Sequence, residues 1–198
     1  MGASIMTSPT WTATILKSAP MITPARQFVY PKPVPGEEDA MARGAMYLDV
    51  KPQTGGSFLA MCAIGFASGT VASGVFATPN PDELCAIAGG YAYLIDTLNP
   101  TRSTQIELRP VVQILSAPEA LGGTGALIFL GFHHAVIRGA GNVLWETPRL
   151  SWEGITHPRI EGDTLRGFGW EMMTDKEVPF AVHLDRREVT GGGYPRTP

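Results

Sequence analysis

The apolar residues of this chain fall in short runs. Some are continuous, others alternate with polar residues, and Gly, Pro, Asn and Asp cut them apart. This rhythm holds from Met46 onward. Runs at 47–50, 58–64, 70–76, 84–88, 91–96, 105–108, 111–115, 126–132, 135–138, 143–146, 155–160, 164–170 and 180–184 are predicted to be strands. Breaks recur about every 8–12 residues, the spacing of all-β domains. After residue 46 no amphipathic helical pattern is long enough to cross between parallel strands, so the strands are expected to pair as antiparallel hairpins. The fold class read from the pattern is all-β, an antiparallel meander in a propeller-like or sandwich arrangement.

Residues 1–45 break the rhythm. Pro9, Pro20, Pro24, Pro31, Pro33 and Pro35 fall there, and proline has no backbone N–H to give to a sheet. This stretch is expected to be an extended Pro-rich segment lying outside the domain. One short helix is predicted near 37–46, opened by acidic residues and stopped at Gly44. The predicted organisation is therefore a segment at 1–45 and a single all-β domain at 46–198.

Residues 52–81 carry no charge, and 58–77 has the length of a membrane span. Only its first half is densely apolar. Ser68-Gly69-Thr70 and Ser73-Gly74 then interrupt it, and no Lys/Arg cluster flanks it to set an orientation. Two buried strands are expected there rather than a membrane segment. Composition agrees: charged residues are 17% of the 198, against about 25% in ordinary domains, while 23 Gly and 17 Pro point to many turns. Disorder would need more charge and fewer apolar residues. Net charge is −3 and the cations are scattered, so no basic stripe exists to meet a phosphate backbone and nucleic acid is not an expected partner. Cys62 and Cys85 sit in apolar runs and are expected to be buried free thiols. No cationic stretch precedes the first apolar residues, so the expected location is cytoplasmic.

Self-comparison aligns 87–97 with 137–147 without gaps. Ile87/Ile137, Gly89/Gly139, Leu94/Leu144 and Thr97/Thr147 match, and Asp96/Glu146 keep their charge. Leu48-Asp49 followed by Thr54-Gly55-Gly56 returns as Leu184-Asp185 followed by Thr190-Gly191-Gly192. Hairpins of this form, an apolar strand, a Gly turn and then Val143-Leu144-Trp145-Glu146, together with the Leu-Asp/Thr-Gly segments, resemble blades of quinoprotein-type β-propellers. The resemblance implies propeller-like sheets. Blades of about 40–50 residues in sets of four or more would need more chain than follows residue 46. It implies nothing about ligand or activity.

Candidate chemistry concentrates in one region. Three of the four tryptophans, Trp145, Trp152 and Trp170, lie within 26 positions, interleaved with Glu146, Arg149, Glu153, Asp163 and Arg166. Trp offers a large rigid face and the charges give direction, the composition of a surface that docks protein or stacks on sugar. Trp145, Glu146, Arg149, Trp152, Asp163, Trp170 and His134 are the expected ligand-binding residues of a non-catalytic binding or scaffolding module. The rival reading is a hydrolase using paired carboxylates among Glu146, Glu153 and Asp163, or His133 and His134. A third is a structural subunit of a homo-oligomer, with 58–77 and the Pro-rich segment reaching a neighbour. On a strand His133 and His134 would face opposite ways and not chelate one metal, and no Cys pair completes a zinc site. The Gly122–Gly125 loop lacks the Lys and the helix of a phosphate cradle. No cofactor is expected.

Overall fold

The computed structural model describes residues 8–22, 24–32 and 38–194. The described residues form sixteen strands, one 3₁₀ turn and no α-helix. Backbone contacts divide them into two compact units, one ending at Val111 and one beginning at Val112. Each unit holds two four-stranded sheets and its own apolar core.

In the first unit, β1 (Trp11–Leu16), β2 (Gln27–Tyr30), β3 (Ala45–Pro52) and β4 (Phe58–Ala63) form a sheet in the order β1-β3-β4-β2. β2 runs parallel to β4, and the other pairings are antiparallel. β5 (Gly74–Ala77), β6 (Glu83–Ala88), β7 (Tyr91–Asp96) and β8 (Ser103–Gln105) follow as a meander in chain order. In the second unit β9 (Gln113–Ala117), β10 (Ala126–Leu130), β11 (Ala135–Gly139) and β12 (Leu144–Glu146) make another such meander. So do β13 (Ile155–Glu161), β14 (Thr164–Glu171), β15 (Lys176–His183) and β16 (Glu188–Gly191). The fold is all-β and antiparallel-rich, and three of its four sheets have the up-and-down order that propeller blades share.

Central strands explain the continuous apolar runs. β4, β6, β7, β10 and β11 are buried along nearly their whole length, so both faces must be apolar. The uncharged 58–77 run resolves into β4, an irregular stretch and β5. The strand expected at 70–76 begins only at Gly74. Among the described residues no helix is long and apolar enough to cross a membrane. The β13–β16 sheet is different: β13 sets exposed Arg159 and Glu161 around half-buried Ile160, and β15 alternates buried Phe180 and Val182 with the more exposed Pro179, Ala181 and His183, as a sheet wet on one face does. The outer strand β13 carries a register shift between Thr156 and Arg159, at His157 and Pro158. A bulge with proline interrupts the row of donors on a sheet edge. Cys62 and Cys85 are free and fully buried. Burial pushes both thiols up, which leaves them unreactive.

Three expectations are corrected. Residues 1–45 are not wholly an appendage, because Trp11–Leu16 and Gln27–Tyr30 are strands of the first sheet, and Trp11 and Tyr30 are buried in its core. Positions 33–37 of the Pro-rich stretch lie outside the described residues. The boundary inside the chain falls at Val111/Val112 rather than before Met46. The short helix is a 3₁₀ turn at Ala40–Arg43, capped by the Asp39 side chain and ended by Gly44, which adopts a positive φ of 96°.

The aligned hairpins differ in build. Gly89 and Gly90 are both at positive φ and form a two-residue turn joining the middle strands β6 and β7. Gly139 instead ends β11, which leads through a longer loop to the edge strand β12. In the second pair, Leu48-Asp49 lies inside β3 while Leu184-Asp185 follows the end of β15.

Candidate functional site

The chain leaves β12 at Glu146 and must reach β13. Residues 147–154 make this crossing along the β10–β11 loop, and hydrogen bonds fix them at Thr147, Leu150, Ser151 and Trp152. Thr147 N–H donates to Ala135 O (2.9 Å), and Leu150 N–H donates to His133 O (2.7 Å). Trp152 N–H donates to Trp170 O (3.0 Å), while Ser151 Oγ accepts from Trp170 N–H (2.8 Å). From the other end of the chain, Gly193 N–H donates to Leu150 O (2.8 Å). Two backbones meet here at glycine distance: a Cβ on Gly193 would stand 2.2 Å from Trp170 O, and one on Gly169 would stand 2.1 Å from Leu150 O.

Arg149 is the hub of this segment. Its Nε donates to Ser151 O (2.9 Å) and its Nη2 to Trp152 O (2.7 Å), and Nη2 also lies 3.3 Å from His133 Nδ1. The guanidinium carbon is 5.1 Å from the centre of the Trp152 ring and 4.8 Å from that of Tyr194. The two rings are 4.7 Å apart and tilted by 56°. A guanidinium so placed is attracted by both ring faces, and its hydrogen bonds hold it where a free arginine would sample many rotamers. Trp152 Nε1 is buried with no partner among the described residues, so the indole presents carbon rather than N–H outward. Beside this group, Phe132 is 40% exposed at the tip of the β10–β11 loop. Phe132 also lines a recess of ≈ 100 Å³ with Val112, Leu130, Gly154, Ile155 and Pro158.

His133 and His134 lie in this loop and not on a strand, so the alternation argument does not apply to them. His134 Nε2 is 3.6 Å from Glu146 Oε2. Its pKa is lowered, first by burial, against the opposing pull of Glu146, and further by His133 and Arg149. The unfolded chain therefore binds this proton at a higher pH than the folded one does. The folded state gains most from a neutral His134 above about pH 6.5, its unfolded value, and loses that contribution as pH falls from there toward the lowered native pKa. A histidine ring-proton titration should place the His134 midpoint below the free value, and Glu146→Gln should move it lower still. A midpoint unchanged by E146Q would show that the 3.6 Å pair carries no attraction.

Of the seven residues expected to bind ligand, Arg149, Trp152, His134 and Glu146 gather around this loop. Trp170 joins through its backbone, while its indole N–H is committed to Asp175 Oδ1 (2.9 Å) across the β14–β15 turn. Two of the seven lie elsewhere. Trp145 faces the core from β12, with the Arg187 guanidinium over its ring at 5.5 Å. Asp163 precedes β14 at the end opposite Trp170 and pairs with His183 Nε2 at 3.1 Å. Seven strand steps separate Asp163 from Trp170, on the order of 23 Å. Of the carboxylates weighed for hydrolysis, Glu146 lies beside His134, Asp163 pairs with His183, and Glu153 is exposed. Among the described residues no group of three His, Cys, Asp or Glu is placed to hold a metal ion.

Sequence reasoning missed Ser151 and Tyr194. Tyr194 follows Gly191-Gly192-Gly193, which reads as a turn or a fraying tail. The glycines are there because two backbones meet too closely for a side chain, and a glycine run beside an aromatic residue was the available signal. Comparisons with known protein families, with curated proteins and with solved structures find no match to this chain.

Proposed function

We propose that the protein is a non-catalytic binding module and that the Arg149–Trp152–Tyr194 cluster, with Phe132 and the recess beside it, is its ligand face. The ligand class we infer is a segment of another polypeptide. The observation that carries this reading is the fixed guanidinium between two aromatic rings, next to an exposed phenylalanine. Binding hot spots are built from rigid Trp, Tyr and Arg rather than from scattered contacts, and preorganisation lowers the entropy lost on binding. The recess favours polypeptide over sugar. Its volume suits one aliphatic side chain, and Val112, Leu130, Phe132, Ile155 and Pro158 line it with Gln113 as the one polar side chain. The exposed carboxylate of Glu153 and the His134–Glu146 pair supply a polar rim.

A random-peptide library displayed on phage and a panel of immobilised glycans should be offered to the full chain in parallel. Enriched peptides should carry an apolar residue, and their binding should weaken about tenfold or more with Arg149→Ala or Phe132→Ala. Glycan binding without peptide enrichment, or peptides indifferent to both substitutions, would overturn the reading.

A further inference from the structure

The first unit holds a second cluster of cations and aromatic rings. It is unrelated to the Arg149 face and independent of the reading given to it. The β6–β7 turn presents Tyr91, and two guanidiniums converge on that one ring. Arg43, from the 3₁₀ turn, lies 5.5 Å from its centre, and Arg109 lies 5.0 Å from it. Both arginines are exposed. Among the described residues neither is in an ion pair, and neither donates a hydrogen bond to a carboxylate. Two like charges gathered on one ring repel each other, and an anion shared between them relieves that repulsion.

Next to the pair is a groove of ≈ 390 Å³ lined by Met46, Ile64, Phe66, Ala67 and Ala88, with Ser68 and Ser73 as its polar side chains. Phe66 belongs to both features. It lines the groove and meets Tyr91 edge-on, with ring centres 5.8 Å apart. The groove is built into the backbone. Gly65 N–H donates to Ala88 O (3.0 Å), Phe66 N–H donates to Gly89 O (2.8 Å), and Gly89 N–H donates to Ser73 Oγ (2.9 Å). A Cβ on Gly65 would strike the Tyr91 ring at 2.1 Å, so only glycine lets the ring lie where both arginines reach it. The volume is that of small-ligand sites, which are apolar with a few placed polar groups.

We infer that this end of the unit is a binding site for a small amphiphilic anion. Its carboxylate is held by Arg43 and Arg109, and its short apolar body lies in the groove along Phe66. Charge selects the head and the groove selects the tail.

Octanoate is the probe, with acetate supplying the head alone and 1-octanol the tail alone. Binding to the full chain is read by calorimetry and by amide shifts of Ser68, Ser73 and Gly89. Octanoate should bind at least about tenfold more tightly than either control, and its affinity should fall as salt is raised. Arg43→Gln with Arg109→Gln should remove that advantage and leave thermal unfolding unchanged, since both side chains are exposed. Equal affinity for octanol and octanoate, undiminished octanoate binding to the double variant, or no octanoate binding to the wild-type chain would each overturn the assignment.

Discussion

Replacing Gly169 with valine will destabilise the second unit by about 3 kcal/mol or more and dismantle the Arg149 face. Gly169 lies inside β14, paired with Ile155 and Val178. Above it the crossing segment comes down onto the strand, so a Cβ would stand 2.1 Å from Leu150 O and 3.0 Å from Gly193 N. Both obstacles are backbone atoms and neither can rotate away. Leu150 O is also the acceptor for Gly193 N–H, so lifting the segment off β14 breaks the bond that positions Tyr194. Overpacking usually costs about 1–3 kcal/mol when side chains can yield, and here they cannot. Urea unfolding followed by tryptophan fluorescence reads the loss. Near-UV circular dichroism reads the separation of Trp152 from Tyr194. Gly69→Ala is the control: a Cβ there meets nothing within 4 Å, and the change should stay within about 0.5 kcal/mol. A Gly169→Val protein as stable as the control would show that the segment does not dock as described.

The same contact explains what could be read from the residues beforehand and what could not. Strands buried on both faces, such as Ala126–Leu130 and Tyr91–Asp96, are uninterrupted apolar runs between turn residues and could be located directly. Edge strands escaped for the opposite reason. Glu188–Gly191 alternates too briefly, and Gln27–Tyr30 stands among prolines. The division at Val111/Val112 left no trace because the strand rhythm runs through it unchanged. For the candidate site, composition pointed to the right stretch but not to its members. Alternation along β12 puts Trp145 toward the core and its neighbour Glu146 beside His134. Which of two adjacent residues faces inward depends on register, and register is set by partners far along the chain. Ser151 and Tyr194 gain their roles only when 150, 169 and 193 meet, and no local pattern encodes that meeting.

Replacing Tyr30 with alanine will cost about 3–5 kcal/mol, and removing residues 1–45 will abolish the cooperative fold of the first unit. A dispensable Pro-rich segment would tolerate both changes. Tyr30 ends β2 and is 1% exposed. Its ring lies 6.4 Å from that of Tyr93, and its hydroxyl donates to Pro100 O (2.7 Å). Deleting the ring leaves a cavity in the core shared by Leu48, Phe58 and Leu84. Tyr30→Phe keeps the packing and loses only the bond to Pro100 O, so it should cost about 1–2 kcal/mol. The truncation goes further. It strips β1 from β3 along six register pairs and β2 from β4 along four, which exposes both edges of a two-stranded remnant, and such a remnant is at best marginal in water. It also removes Trp11, which is buried and donates its indole N–H to Glu83 O (3.2 Å), so the next sheet loses a partner as well. Thermal unfolding of Y30F, Y30A and the chain starting at Met46 should show losses increasing in that order. A chain from Met46 that unfolds cooperatively near the full-length midpoint would show that β1 and β2 are ornaments on a sheet that does not need them.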